Sequence, residues 1–400
     1  MKRKLRVAYL VSHPIQYQAP LLSKIHQEMD IDLTVFYCSD LSVRGYHDEG
    51  FGQAVQWDVP LLDGYRYEFL PAVGNSTELS FWWPFNYDLT RRLRSGKFDA
   101  LWVHGWAYWS HLLAVSKAKK LGIKVFIRGE SGLHLKSKNT MQQWLKKRLM
   151  HYLLSKVYGF LAIGDLNKKF YLHHGVDASR IFMTPYAVDN VFFRAKAAAA
   201  RETREKFRAS LGLSLGRPVI LYASKMTDRK RPDDLLEAYI RLSLDNRTEP
   251  QPYLIFIGDG ELRQRLEERA SQFNWSTIKF LGFRNQSELP IFYDLCDVFV
   301  LPSVQEPWGL VINEVMNAAR AVIVSDQVGC GPDLVRHGEN GFIFKAGDID
   351  ELKMALQDTL ADQGRCISMG EMSEKIISNW SFDEDIVGLS NALRRVGFGE

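Results

Sequence analysis

Two glutamates, Glu306 and Glu314, stand eight residues apart in the stretch VFVLPSVQEPWGLVINEVMNAARAVIVSD, residues 298–326. The stretch predicts an apolar strand, a Pro-Ser turn, a loop with Glu306, a helix from about Gly309 that contains Glu314, and a second strand. Open α/β sheets bind ligands at the carboxyl ends of their strands, where a helix N-terminus attracts phosphate. Carboxylates repel phosphate, so these two are better suited to hydroxyl groups of a sugar or ribose beside it. The spacing therefore suggests a nucleotide-sugar site.

The composition is that of a soluble globular protein. The chain has 400 residues, of which 46% are apolar and 24% charged, and this length predicts two domains with separate cores. The net charge is only +4, which gives little electrostatic support to a nucleic-acid partner.

The cysteines and the apolar runs indicate a cytoplasmic protein. Cys38, Cys296, Cys330 and Cys366 are far apart and have no metal-ligand spacing, so we expect buried free thiols in a reducing compartment. The apolar run after the basic N-terminus is too short for a signal peptide, and no stretch is long enough for a membrane span. We expect the protein to be soluble, or at most peripheral at the inner membrane face.

The two halves of the chain repeat one pattern. In the first half, apolar strands are predicted at the following positions: 5–11, 32–37, 100–104, 124–128, 160–164 and 181–185. In the second half they are predicted at 218–223, 252–258, 278–282, 298–301 and 321–324. Helical patterns alternate with the strands, which indicates an α/β fold with parallel sheets covered by helices.

The alanine run followed by mixed charges in FFRAKAAAARETREKF, residues 192–207, predicts a linker that merges into a helix, with the hinge near residues 194–204. We therefore expect domains at 1–195 and 196–378, with a terminal segment 379–400. A last helix at 382–395 is not followed by a strand. It either returns to the first domain or packs on its own, and the sequence favours neither arrangement.

Five short blocks carry a family resemblance. EPWGLVINE at 306–314 matches an E-x7-E signature, SKMTDRK at 224–230 a "GRL…K" block, GDG at 258–260 a glycine turn, and FLGF at 280–283 an "F.G" block. PYAVDNVF at 185–192 is similar to an interdomain "NGVD…F" segment. Together they closely resemble the retaining glycosyltransferases of family 4 (glycosyl transferases group 1). The resemblance implies the GT-B fold, in which two Rossmann-like doubly wound domains face each other across a cleft.

The resemblance also implies roles for the carboxylates and lysines of the second half. Glu306 would contact the donor sugar near its reacting carbon, and Glu314 would accept hydrogen bonds from the ribose. Lys225 and Lys230 would neutralise the departing diphosphate, because fixed cations stabilise charge that develops on a leaving group. With two lysines and a helix N-terminus in place a divalent metal is not required, and none of the five matched blocks contains Asp-x-Asp. Neither a metal nor another cofactor is therefore expected besides the UDP- or GDP-linked donor.

Backbone and base contacts follow from the same blocks. Gly309 and Leu310 would offer backbone N–H groups to the diphosphate, and Gly258 forms the glycine turn. Phe283 and Arg284 would line the base pocket.

The first half departs from the family at the strand ends. The first turn, SHPIQY at 12–17, lacks the usual glycine pair, and Arg128 stands where a histidine is common. His104, at the end of the preceding strand, is an alternative to it. We rank His104 and Arg128 above His13 as catalytic candidates and expect Glu130 to orient the acceptor.

Two aromatic clusters and a basic helix bear on the acceptor. The clusters are FWWPFNY at 81–87 and the set Trp102, Trp106, Tyr108 and Trp109. They suit sugar stacking, with Trp106 on the acceptor side, or core packing. A basic amphipathic pattern at 136–156 suits an anionic membrane surface or an ordinary surface helix.

These features predict a metal-independent retaining glycosyltransferase. It would move a hexose-type sugar from a nucleoside diphosphate to a saccharide or lipid-linked acceptor hydroxyl, in polysaccharide or glycoconjugate biosynthesis. The alternatives are a nucleotide-sugar epimerase-like enzyme of the same fold and a catalytically silent nucleotide-sugar-binding or scaffold protein.

Overall fold

The computed structural model describes residues 3–74, 79–132, 148, 150–245, 250–273 and 276–398. The contacts divide the chain into two compact units. Unit 1 comprises Met1–Tyr46, Val59–Tyr186 and Phe382–Glu400. Unit 2 comprises His47–Asp58 and Ala187–Ser381.

The strands are numbered in chain order over the described residues. They are β1 (Leu5–Val11), β2 (Ile31–Tyr37), β3 (Tyr46–Asp48), β4 (Gln53–Val55), β5 (Tyr67–Phe69), β6 (Ala100–His104), β7 (Lys124–Arg128), β8 (Gly159–Ala162), β9 (Ile181–Met183), β10 (Val219–Ala223), β11 (Tyr253–Ile257), β12 (Ile278–Phe280), β13 (Val298–Leu301), β14 (Ala321–Ser325) and β15 (Gly341–Phe344).

The helices are numbered in the same way. They are α1 (Ala19–Glu28), α2 (Leu89–Gly96), α3 (Trp109–Lys120), α4 (Asp165–His173), α5 (Asn190–Ser210), α6 (Pro232–Leu244), α7 (Arg263–Ser271), α8 (Leu289–Leu295), α9 (Leu310–Met316), α10 (Gly331–Leu334), α11 (Ile349–Thr359), α12 (Gln363–Ile377) and α13 (Phe382–Arg394), with a 3-10 turn at Ala178–Arg180.

The sheet of unit 1 has the strand order β5-β2-β1-β6-β7-β8-β9 within the described residues, and its paired strands are parallel. Tyr9 of β1 lies opposite Val35 of β2 and Trp102 of β6. The central strands are buried on both faces, as β6 shows in all five of its residues. This is why they are continuous apolar runs in the sequence rather than alternating patterns.

The sheet of unit 2 has the order β12-β11-β10-β13-β14-β15 over the described residues, again with parallel neighbours. Leu221 of β10 lies opposite Ile255 of β11 and Phe299 of β13. Helices α6, α7, α11 and α12 contribute to the core on this sheet. The reversal of strand order beside β10 is the switch point at which doubly wound sheets bind ligands.

The segment predicted as a linker that merges into a helix is helical over its whole length. Residues 194–204 lie inside α5, a helix of 21 residues. Asp189 caps the start of this helix, where its side chain accepts a hydrogen bond from the N–H of Phe192. The contacts divide at Tyr186/Ala187 rather than at 195/196. Alanine and mixed charges have high helix propensity, so the composition taken for a linker is that of an exposed helix.

A short hairpin from the first half of the sequence belongs to unit 2. Strands β3 and β4 form a two-stranded sheet, and residues 47–58 belong to unit 2. We call residues 47–58 the β3–β4 hairpin. Neither these strands nor β15 and α12 were predicted from the sequence.

Helix α13 belongs to unit 1 although its sequence follows unit 2. The Asp385 Oδ2 atom on this helix lies 2.6 Å from the Arg128 Nη2 atom, and both side chains are almost fully buried. Arg128 also donates to the carbonyl oxygens of Thr184 and Pro185, at 3.0 and 3.2 Å. The ion pair therefore ties the chain terminus to the end of β7.

Removal of one member of this pair is expected to destabilise unit 1. Asp385→Ala leaves a buried guanidinium without its counter-charge, which costs about 3–5 kcal/mol of unfolding free energy. Urea denaturation followed by tryptophan fluorescence measures the loss. The double variant Arg128→Met/Asp385→Leu removes both charges and should recover most of it. A loss below about 1 kcal/mol in Asp385→Ala, the value for an exposed pair, would contradict a structural role.

Candidate functional site

Loops from three neighbouring strands of unit 2 meet at the carboxyl edge of its sheet. The N–H of Met226, after β10, donates to the carbonyl of Asp259, after β11, at 2.8 Å. The N–H of Val304, after β13, donates to the carbonyl of Arg229 at 3.0 Å. These backbone bonds fix the three loops to one another, and we call this region the donor edge.

Glu306 and Lys230 form an ion pair at the donor edge. The Glu306 Oε2 atom contacts the Lys230 Nζ atom, and both side chains are only 12% exposed. The Glu306 backbone is held by two bonds to the loop after β14, including the Gly329 N–H at 2.9 Å. The first carboxylate of the E-x7-E pattern is therefore fixed against the second lysine predicted for the diphosphate.

Glu314 lies on α9, whose N-cap is Gly309 with a φ of 100°. A side chain at Gly309 would be strained in this left-handed conformation. Leu310 is the first residue of the helix, and the first N–H groups of a helix have no intrahelical partner. Gly309 and Leu310 therefore stand at the start of this helix, and their contact with a diphosphate stays a prediction.

The Glu314 carboxyl is held by a buried tyrosine. The hydroxyl of Tyr293, on α8, donates to the Glu314 Oε2 atom at 2.6 Å. Burial raises the pKa of Glu314 to about 7, although the Tyr293 hydrogen bond acts in the opposite direction. The protonation of this carboxyl therefore changes close to neutral pH. Sequence reasoning did not find Tyr293, which stands in an ordinary apolar helix pattern.

Lys225 contacts the β3–β4 hairpin. Its Nζ atom lies 2.6 Å from the Asp48 Oδ1 atom and 4.8 Å from the centre of the Phe51 ring. The Lys225 carbonyl accepts a hydrogen bond from the Tyr222 hydroxyl at 2.7 Å. The first lysine of the predicted pair is therefore positioned by a segment 177 residues away in the chain.

Phe283, predicted for the base pocket, contacts the same hairpin, and the glycine turn lies against the loop after β10. Gly258 has a φ of 120°, and a Cβ atom there would lie 2.0 Å from the Ser224 carbonyl oxygen, so only glycine fits. The Phe283 ring packs edge-on against Phe51 with 4.9 Å between centroids. Arg284 forms a 3.6 Å ion pair with Glu288. The predicted donor residues of unit 2 thus occupy one edge of its sheet.

Unit 1 contains a cavity of about 380 Å³ at the carboxyl ends of β1, β6 and β7. His104, Trp106 and Glu130 line it, as do Tyr17 and other residues of these loops. The cavity therefore brings together three of the residues predicted for catalysis and the acceptor.

A chain of hydrogen bonds leads through His104 to Glu130. The Gln18 Nε2 atom lies 3.0 Å from His104 Nδ1 and 2.9 Å from His104 Nε2. The Tyr186 hydroxyl lies 2.9 Å from His104 Nε2 and donates to Glu130 Oε1 at 2.8 Å. Tyr9 donates to the Gln18 Oε1 atom, which orients the amide. The Tyr186 hydroxyl therefore links the His104 ring to the Glu130 carboxylate.

His104 is neutral in this arrangement. Burial, and secondarily the charge of Arg128, hold its pKa well below the ordinary value. His104 therefore fixes Tyr186 and Glu130 in place without carrying a charge. Gln18 and Tyr186 were missed by the sequence analysis, although Tyr186 stands within the PYAVDNVF block.

Arg128 and His13 have other surroundings. Arg128 is 2% exposed and pairs with Asp385, which favours a structural role over the predicted catalytic one. His13 contacts the Ser12 hydroxyl at 2.9 Å through Nδ1, and burial lowers its pKa to about 4. Neither residue is among those that line the cavity.

The aromatic clusters divide between surface and core. Phe81, Trp82 and Trp83 are exposed, and the Trp82 and Trp109 rings lie 5.3 Å apart. Trp102 is buried. Core packing therefore describes Trp102 and not the exposed cluster. The predicted basic helix 136–156 lies mostly outside the described residues.

Two searches of the described residues gave negative results. Over these residues, no group of three or more His, Cys, Asp or Glu side chains is placed to hold a metal ion. None of the helices in the same part of the chain combines the length and the apolarity needed to cross a membrane.

The second half of the chain is similar to known glycosyltransferases. The family described as Glycosyl transferases group 1 matches residues 203–379. The lipopolysaccharide core biosynthesis glycosyltransferase LpsE of Rhizobium meliloti is 31% identical over 172 residues, 42% of this chain and 47% of that protein. The GDP-mannose-dependent alpha-(1-6)-phosphatidylinositol monomannoside mannosyltransferase of Mycolicibacterium smegmatis is 27% identical over 189 residues, 45% and 48% of the two chains. The chain spans about half the length of these relatives.

Similarity to solved structures extends over nearly the whole chain. The Anabaena protein HepE in complex with UDP superposes with a TM-score of 0.72 at 16% identity, covering 98% of this chain and 100% of that one. The fold is GT-B. The two parallel sheets flanked by helices are the two Rossmann-like domains of this fold, as the resemblance implied.

The raised pKa of the half-buried Glu314 predicts that affinity for a nucleotide sugar depends on pH. If ribose hydroxyls donate to its carboxylate, affinity for a nucleotide sugar rises as pH increases through about 7. The rise between pH 6 and pH 8 should be roughly tenfold, because the ionised fraction changes by that factor. Isothermal titration with UDP- and GDP-sugars measures it, since their diphosphates do not titrate in this range.

Two variants control this prediction. Glu314→Gln should weaken binding and remove the pH dependence. Tyr293→Phe removes a hydrogen bond that lowers the Glu314 pKa, so the midpoint should shift upward. A pH profile in the wild type that Glu314→Gln leaves unchanged would assign the titration to another group.

Proposed function

We propose that this protein is a retaining glycosyltransferase that does not require a metal ion. It transfers a sugar from a nucleoside diphosphate sugar to a hydroxyl of a saccharide or lipid-linked acceptor, in polysaccharide or glycoconjugate biosynthesis. The similarity to group 1 glycosyl transferases supports the reaction class. The geometry of the donor edge supports the roles of individual residues.

The observation that carries the proposal is the ion pair of Lys230 and Glu306. A carboxylate suited to sugar hydroxyls and a cation suited to the leaving phosphate are fixed against each other, beside the start of α9. Such an arrangement suits a sugar–phosphate bond. The hydroxyl groups on the sugar side need a hydrogen-bond acceptor, and the phosphate side needs a positive charge. Lys225, at the same edge, adds a second cation that can stabilise the departing diphosphate.

Retention is proposed to follow from attack on the face that the diphosphate leaves. As the bond between the anomeric carbon and the phosphate oxygen breaks, the acceptor oxygen bonds to the same face of that carbon. The acceptor proton passes to the departing phosphate oxygen, so the protein need not supply a nucleophile. Lys225, Lys230 and the first N–H groups of α9 stabilise the charge that develops on the diphosphate.

Unit 1 is proposed to hold the acceptor. Glu130 lines the cavity and has its Oε1 atom oriented by the Tyr186 hydroxyl. A carboxylate fixed in this way can accept a hydrogen bond from an acceptor hydroxyl and orient it. Trp106 offers an aromatic surface in the same cavity.

The donor nucleotide is proposed to be uridine- or guanosine-linked. The printed names of the compared proteins include a GDP-mannose-dependent enzyme and a complex with UDP. Phe283, beside Phe51, can stack on either base. The location is proposed to be cytoplasmic. The four cysteines are buried free thiols, which supports a reducing compartment. For a lipid-linked acceptor, the proposal includes contact with the inner membrane face.

Lys230→Ala is expected to lower turnover far more than donor binding. Loss of one preorganised charge at the leaving group should reduce kcat about 100- to 1,000-fold. Donor affinity should fall less, because Lys225 and α9 still bind the diphosphate. Donor affinity by titration and sugar transfer without added metal should be measured after a screen of UDP- and GDP-sugars. Arg269→Ala, which removes a cation paired with Glu237 in the same unit, is the matched control.

Two outcomes would count against the proposed function. Failure of the wild type to bind any of these nucleotide sugars at millimolar concentration would contradict the donor site. Tight donor binding without transfer to any saccharide or lipid-linked acceptor would support a nucleotide-sugar-binding protein instead.

Glu130→Gln is expected to affect the acceptor and not the donor. Loss of the negative charge should raise the KM for the acceptor and lower kcat/KM about 10- to 100-fold, because a charged acceptor of hydrogen bonds is replaced by a neutral amide. Tyr186→Phe should give a smaller effect of the same kind, since the carboxylate remains but is no longer oriented. Equal loss of donor affinity in either variant would contradict the assignment of this cavity to the acceptor.

A further inference from the structure

We propose that Asp48 determines which diphosphate the donor edge retains: it disfavours the free nucleoside diphosphate product more strongly than the sugar-linked donor. The inference rests on the proposed function and assigns a residue of the β3–β4 hairpin to that same site. Asp48 belongs to neither the family-matched residues 203–379 nor the blocks that the sequence analysis identified.

The Asp48 carboxylate is fixed in position by its own turn. Its Oδ1 atom accepts hydrogen bonds from the N–H groups of Gly50 and Phe51, at 2.9 and 3.1 Å. The same oxygen lies 2.6 Å from the Lys225 Nζ atom. Three donors therefore converge on one oxygen. They hold the carboxylate beside any ligand that binds to Lys225.

Asp48 carries its negative charge at neutral pH. Burial acts to raise its pKa, but the Lys225 ammonium and the two backbone N–H groups outweigh this effect and lower the pKa below its usual value. The side chain is 12% exposed and that of Lys225 is 32% exposed. Water therefore screens the charge only in part.

The hairpin also determines where the Lys225 ammonium lies. A Cβ atom at Gly50 would come within 2.6 Å of the Lys225 Cδ atom and 2.9 Å of its Nζ atom. The side chain of Lys225 thus passes over Gly50, and the Phe51 ring faces the ammonium at 4.8 Å. A diphosphate bound to the Lys225 ammonium would therefore also lie close to Asp48.

The far end of the hairpin is attached separately. Asp58 accepts a hydrogen bond from the Ser287 N–H at 3.2 Å, and the Asn285 side chain donates to the Gln56 carbonyl at 2.6 Å. The hairpin is therefore held at both ends against the loops after β10 and β12. This second attachment keeps Asp48 in position when Lys225 acquires a new partner.

Repulsion from Asp48 depends on the charge of the ligand. An ammonium group directs its donors tetrahedrally, so a phosphate oxygen on Lys225 lies roughly 4–5 Å from the Asp48 oxygen. Both phosphates of a nucleotide sugar carry two substituents, one ester and the shared anhydride oxygen, and so have one charge each. The free product has a terminal phosphate whose second ionisation has a pKa near 6, so it carries about one more negative charge at pH 8. Asp48 therefore repels the product more than the donor and favours product release.

The test compares donor and product affinities in the wild type and Asp48→Asn. The asparagine keeps the shape and an oxygen that can accept the Gly50 N–H, but it removes the charge. At pH 8 the variant should bind UDP or GDP more tightly, on the order of tenfold, and the matching nucleotide sugar by about threefold or less. Isothermal titration gives both constants, and inhibition of transfer by the free diphosphate should increase in parallel.

Asp58→Asn is the matched control. It removes a negative charge from the same hairpin, at the end attached to Ser287 rather than to Lys225. The ratio of product to donor affinity should stay within about twofold of the wild-type ratio, because a distant exposed charge is largely screened. A shift in this control as large as that in Asp48→Asn would overturn the assignment to Asp48.

A second measurement repeats this comparison at lower pH. Lowering the pH from 8 to 5.5 protonates the terminal phosphate of the product, so the difference between wild type and Asp48→Asn in this ratio should decrease. An unchanged ratio in Asp48→Asn, or equal weakening of both ligands, would overturn the inference and leave the proposed function standing. Absence of nucleotide binding in the wild type would instead overturn the proposed function.

Discussion

The donor edge depends on the parallel pairing of β10 with β11 on one side and β13 on the other. In a parallel sheet the loops that follow neighbouring strands emerge at the same edge. This pairing therefore brings Lys225, Lys230 and Glu306 together although their loops are far apart in sequence. Backbone hydrogen bonds between the loops then fix positions that side chains alone would leave variable. A change in this pairing would separate the lysines from the carboxylate.

Each lysine of the donor edge already has a carboxylate partner. Lys230 contacts Glu306 and Lys225 contacts Asp48. Part-buried cations are costly unless they are paired, and pairing also restricts the positions that a long side chain can take. A binding site for a diphosphate thus has to combine cations held in place with nearby negative charge. In unit 1 the residue that orients the carboxylate is uncharged. Neutral His104 holds Tyr186, and through it Glu130, by hydrogen bonds alone.

Much of the framework followed from local patterns. The bounds of β6, β7, β13 and α6 agree with the apolar runs and the helical period of the sequence, and the glycines at 258 and 309 adopt the left-handed backbone that the blocks require. The hairpin, by contrast, consists of two strands of three residues. Such short strands have no period to detect, and their stability comes from the surface on which they pack. The predicted hinge falls inside α5 because composition does not distinguish an exposed helix from a flexible connection.

The sequence by itself determined the fold class and the two-sheet architecture, because these depend on apolar periodicity and on short blocks whose members are close in the chain. Only the tertiary structure decided the partners of the charged groups. Lys225 with Asp48, and Arg128 with Asp385, join segments separated by 177 and 257 residues. Coulomb attraction and desolvation depend on distance in space, and no local pattern encodes which distant carboxylate a buried cation will meet.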